Sequence, residues 1–150
     1  MAGETDCDLL IRNMRPMLDP EPYVFCTFAD KSMADLAELE PIGLFAETEG
    51  VTAILPVARA VELGLAEASW YRRITLMVHS SLAAVGLTAA VSTALGRANI
   101  ACNIAAAFYH DHIFIAAEHA DDAMRVLLEL ADEGKVPDIG SKSLAAEPED

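Results

Sequence analysis

Positive charge is scarce in this 150-residue chain: ten lysines and arginines face 24 aspartates and glutamates, a formal net charge of -14. Such a chain repels nucleic-acid phosphates and anionic lipid surfaces, which sets both aside as partners. Cysteine is sparse as well. Cys7, Cys26 and Cys102 are far apart and form no Cys-x-x-Cys pair, so a disulfide framework or a zinc knuckle is not expected. Free thiols in a reducing cytoplasm are the expected state. Met1–Asp8 has neither a basic nor an apolar stretch and does not read as a secretory signal. No Gly-x-Ser-x-Gly, phosphate-binding loop or Gly-x-Gly-x-x-Gly opens a helix. Nor is there a clean membrane span. Residues 74–96 carry no formal charge, but His79-Ser80-Ser81 and Gly86 interrupt them and their apolar period changes partway.

What is present is a core-forming composition, 53% hydrophobic and 23% charged, enough for one domain or two small units sharing a core. Residues 6–17 have helical spacing up to Pro16, and the prolines in Leu18–Pro22 predict a loop. Tyr23–Phe28, Ile42–Thr48 and Val51–Pro56 read as strands, with a turn at Glu49-Gly50. Residues 29–41 read as loop or one weak helical turn, and Ala58–Leu65 as a short helix. In the second half Tyr71–His79 alternates as a strand, and Ser80–Gly86 is a loop. Leu87, Val91, Leu95 and Ala98 then mark a helical stripe. Ile100–Tyr109 reads as a strand, His110-Asp111 as a tight turn, and His112–Ala116 as the returning strand. Ala120–Glu133 is an amphipathic helix with Asp121 and Asp122 in its first turn.

Residues 71–134 therefore follow the order β-α-β-β-α, and residues 23–65 follow it with the first helix eroded. The expected fold class is α+β: tandem ferredoxin-like halves, antiparallel sheets with helices on one face. The expected units are residues 1–68, residues 69–136 and a flexible acidic tail, 137–150. Each half lacks a strand, which predicts one interlocked unit or a dimer that joins the sheets.

The run Ile74–Leu82, the run Ala84–Val91 and the segment Phe108–Ile115 resemble bacterial tandem ACT-domain proteins of uncharacterised function. Tyr23–Thr27 and Glu47–Gly50 extend the resemblance into the first half. The group is similar to aspartokinase regulatory ACT domains and to CASTOR-type arginine sensors. The resemblance implies a small-molecule site, of amino-acid type, at an interface between ACT units. It places the ligand on the loop Ser80–Leu87 and matches Asp111 to a ligand-contacting aspartate. Ala83 stands where many aspartokinase loops carry an acid, which leaves the ligand's identity open.

The residues support part of this independently. Gly86 precedes a helix whose first N–H groups have no internal partner and carry partial positive charge, a natural seat for a carboxylate. Ser80, Ser81 and Thr88 offer hydroxyls there, with Val85 and Leu87 as apolar neighbours. Asp111 is a carboxylate in an apolar region and suits an ammonium or guanidinium. Glu49, beside Glu47, faces the same loop if the halves pair across a pseudo-two-fold axis. The plain alternatives are a turn glycine, a hairpin aspartate and a solvated hairpin end. A metal reading of His110-Asp111-His112 lacks a third ligand at a defining spacing, and His79 beside Ser80 is no catalytic triad. The expectation is a non-enzymatic, cytoplasmic, homodimeric sensor of a small molecule with no cofactor. The competing expectation is a ligand-free interaction or oligomerisation module.

Overall fold

A computed structural model describes residues 3, 5–65, 69–81 and 83–138 of the protein. The tail from residue 139 on, and Leu82 in the candidate loop, lie outside the described residues. Among those described, no helix is long and apolar enough to cross a membrane.

The strands form one six-stranded antiparallel sheet in the order β2-β3-β1-β4-β6-β5. Their ranges are β1 Pro16–Phe28, β2 Gly43–Ala46, β3 Val51–Pro56, β4 Tyr71–Leu76, β5 Asn103–Ala106 and β6 Asp111–Ala116. The expected α+β architecture is present, and β1 explains how two incomplete halves close. Its first residues pair with β4 (Met17 with Thr75) and its last with β3 (Phe25 with Ile54). One 13-residue strand thus serves both halves of the sheet.

The loop expected at Leu18–Pro22 is instead part of β1. The register breaks between Leu18 and Pro22, so Pro20 sits where no ladder N–H is required, and Pro22 lies at the resumption of pairing. Asp19 pins this irregularity. Its carboxylate accepts from the Tyr23 hydroxyl (2.7 Å), the Glu21 N–H (2.9 Å) and Arg73 (2.7 Å), and its carbonyl accepts from Arg72.

Helices cover one face of the sheet. α1 (Cys7–Asn13), α4 (Leu87–Arg97) and α5 (Ala120–Glu133) enclose the larger core with Ile74, Leu76, Ile113 and Ile115. Leu10, Ile11 and Met14, from the start of the chain, are fully buried in that same core. α2 (Met33–Ala37) and α3 (Val57–Glu62) cover a smaller core around Val24, Ala53 and Leu55. α2 was expected as loop or a weak turn. Ser32 and Asp35 form a reciprocal capping box that nucleates it, the Ser-x-x-Asp pattern being visible in the sequence.

The hairpin between β5 and β6 also differs from expectation. The strand expected to reach Tyr109 stops at Ala106, and the turn spans residues 107–110, closed by Ala107 N–H to His110 C=O (3.0 Å). Asp111 is therefore the first residue of β6, paired with Leu76 and Ala106, and not a turn residue. Alternation carries it to the helix-covered face with Ile113 and Ile115.

Candidate functional site

The start of α4 and the first residue of β6 bring four of the expected residues, Gly86, Leu87, Thr88 and Asp111, to one end of the larger core. Gly86 is the N-cap of α4, at φ 107° and ψ −20°. A Cβ there would lie 3.1 Å from Cys7 Sγ, so glycine is required both by conformation and by the approach of α1. Among the described residues no side chain caps α4. Its first-turn N–H groups are thus left for solvent or a ligand.

Asp111 shares a crevice with Leu87 and Thr88 of α4, walled by Leu76 and Ile113 and too narrow for a water molecule. The residue is 8% exposed, the one charged residue in the described core. No hydrogen bond or ion pair to its carboxylate is found among the described residues. Burial pushes the Asp111 carboxyl above the usual carboxylate range, only partly offset by the charge of His110. A buried acid beside the electropositive end of a helix presents two opposite partial charges side by side. That pair matches an ammonium next to a carboxylate, the two ends of a zwitterion.

The outer part of the loop lies apart from this crevice. Ser81 Oγ accepts from the Ala83 N–H (3.2 Å), and Val85 is 85% exposed. Gly3 packs on Ser80 and Ser81 so closely that a Cβ would stand 2.5 Å from the Ser81 nitrogen. Glu49 is not brought to the crevice. It is exposed in the β2–β3 hairpin, whose Glu47 and Gly50 exchange backbone hydrogen bonds. Sequence reasoning missed Leu76, Ile104 and Ile113 as crevice walls, because their alternation reads only as core.

The two histidines flanking Asp111 go different ways. His110 Nδ1 lies 3.4 Å from the Val78 carbonyl, while His112 Nδ1 bonds Thr75 Oγ1 at 2.9 Å on the other face of the sheet. Burial lowers the His112 pKa, and Arg73 and His110 lower it further. Among the described residues, no three metal-ligating side chains converge. The three cysteines are free, and burial raises each thiol, which disfavours the nucleophilic thiolate.

Two ACT domain models match the sequence, over residues 2–72 and 71–129. A Vibrio cholerae protein of unknown function, described as a possible transport protein, has a crystal structure of TM-score 0.74 to this one. It is 45% identical, over 80% of this chain and 91% of that one. The regulatory subunit of aspartate kinase from Thermus thermophilus, in its ligand-free form, has TM-score 0.52 at 15% identity, over 77% of this chain and 95% of that one. An aspartokinase structure of alpha and beta subunits has TM-score 0.58 at 12% identity, over 78% and 97%. At such identities the two kinases share the fold alone. No curated protein matches the chain.

Proposed function

The chain belongs to the tandem ACT-domain proteins, generally regulatory domains that bind small molecules, and from that premise we propose that it is a non-catalytic sensor of a free amino acid. Asp111 carries the reading. A largely buried carboxylate beside an uncapped helix end, with no hydrogen-bond partner among the described residues, would gain one in a ligand ammonium. The α-amino group lies against Asp111, and the α-carboxylate takes the first N–H groups of α4 behind Gly86. Thr88 lines the approach, with Leu87 on the apolar side. The crevice is shut to water, so entry requires its walls to part. Glu49 sits too far along the sheet to share in this site within one chain.

A second copy completes the site in this proposal. His79, Phe108 and Tyr109 form an aromatic cluster, with Phe108 and Tyr109 at 4.9 Å and more than 60% exposed. It lies at the end of the sheet where β5 leaves a free edge, and both features suit a homodimer contact. A dimer of this kind without any ligand is the competing reading, favoured by the same cluster.

The test is a thermal-shift panel of the twenty amino acids. A ligand at a hundred times its dissociation constant stabilises by about 2.7 kcal/mol, a rise of roughly 5–10 °C for a chain of this size. A selective rise that vanishes in Asp111→Asn is expected. A flat panel with the dimer intact by light scattering favours the interaction module instead.

A further inference from the structure

The face of the sheet away from the helices is hollow. β2 and β5 are opposite edges of the sheet, yet both line one cavity of about 590 Å³, so the sheet curls around it. The floor is aromatic: Phe25 and Phe114 meet edge-to-face at 5.3 Å, and Tyr71 closes on Phe25 at 5.1 Å. Phe45 stands on the β2 rim, 71% exposed. Gly43 leaves space for Ile54, whose Cδ1 would lie 3.3 Å from a Cβ at that position.

The volume falls within the range of small-molecule sites, which are mostly apolar with a few polar groups. Here Glu47 is the only charged residue among the described residues lining the cavity. Its carboxylate accepts from Thr52 Oγ1 at 2.5 Å, and no described lysine, arginine or histidine pairs with it. One carboxylate on the rim, in a chain of net charge -14, favours a cation and opposes an anion. The curvature selects the occupant's size. A second copy would present the same concave face, and two concave faces touch at their rims without filling either hollow.

We propose that this cavity binds a hydrophobic primary amine, its ring or chain on Phe25 and Phe114 beneath Phe45 and its ammonium on Glu47. A cation facing Phe45 gains further from the ring's negative face. Among the described residues the lining offers no counter-charge for a carboxylate, so the occupant differs from a zwitterionic amino acid, and the site is separated from Asp111 by the sheet itself. The proposal stands independently of any ligand at α4.

Titration calorimetry with 2-phenylethylamine tests it on the intact chain, with 3-phenylpropanoate as the matched anion. Saturable binding of the amine is expected, with the anion weaker by about tenfold or more. Glu47→Gln retains an acceptor for Thr52 but lacks the charge, and weakens the amine by about tenfold. Ala105→Trp, from the exposed β5 rim, fills the cavity and abolishes binding. Should that variant fail to fold, Phe45→Ala, at an exposed position, weakens binding in its place. Asp111→Asn leaves the amine's affinity unchanged. No saturable binding, equal binding of amine and anion, or an affinity indifferent to Glu47→Gln would overturn the proposal. A wild-type dimer that dissociates in Phe45→Ala would also overturn it, giving the face to a second copy.

Discussion

Two aspartates show how burial alone does not fix the behaviour of a carboxyl group. Burial pushes the Asp19 carboxyl upward, but hydrogen bonds from Tyr23, the Glu21 N–H and Arg73, with the Arg73 charge, reverse this and hold it below the usual range. Asp111 has the burial without the donors and stays raised. Their effects on stability have opposite signs. A raised folded-state pKa leaves Asp111 harmless below about pH 4, its unfolded value. Stability is then lost as the pH climbs through the folded value and the buried charge forms. Asp111→Asn is therefore expected to be neutral in acid and more stable than the wild type near neutrality. Urea unfolding at several pH values reads this directly, and a gap that narrows as the pH rises would contradict it. Gly86→Ala tests the other site residue. Its φ of 107° and the contact with Cys7 predict a loss of about 1–3 kcal/mol in the same assay. Tyr23 shares the Asp19 network: burial, then the hydrogen bond to Asp19, pushes it up to about 12.

At the scale of the element, β1 is held in register by Asp19. Its carboxylate joins Tyr23 and Arg73 across the β1–β4 pair at the point where pairing lapses. The ion pair is partly buried, 26% and 17% exposed at the two side chains, so its removal costs more than a surface pair. Asp19→Ala is expected to lose about 2 kcal/mol at neutral pH, a figure discounted for partial exposure. Because the Asp19 pKa is lowered, its contribution is present above the unfolded value near pH 4 and fades as the pH falls through the folded one. The difference between wild type and Asp19→Ala should shrink in acid, opposite to the Asp111 variant. Elements were legible in the sequence where local pattern and burial agree. The α5 stripe and the β3 strand stand where expected, and the β2–β3 turn falls on Thr48-Glu49, one residue before the expected Glu49-Gly50. The prolines of β1 misled, since a bulge accommodates what a continuous ladder would reject. Asp111 was assigned to the turn because aspartate favours turns, yet the hairpin closes one residue earlier.

For the whole molecule, the shared strand and the shared core make the two halves interdependent. The larger core takes Leu10, Ile11 and Met14 from α1 and its central sheet neighbour from β1, both outside residues 69–136. A fragment of residues 69–136 is expected to show no cooperative thermal transition by circular dichroism. Adding a fragment of residues 1–68 should restore one. A sharp transition in the isolated fragment would show that its own helices suffice. The smaller core lies wholly within residues 24–65, but β1 ties it to the larger core, which draws on both parts of the sequence, so the intact chain should unfold in a single step.

The sequence by itself determined the class of fold, the tandem arrangement and the absence of the common catalytic motifs, because these rest on period, spacing and composition. It also singled out Gly86 and Asp111, one by its place before a helix and the other as a charge in an apolar stretch. Only the tertiary structure decided that Asp111 faces the core beside α4, since a one-residue shift of a turn moves a side chain to the other face of a sheet. It alone separated Glu49 from that crevice and set β2 and β5 around one hollow. Sheet curvature and the sharing of β1 arise from pairings between residues far apart in the chain, which no local pattern encodes.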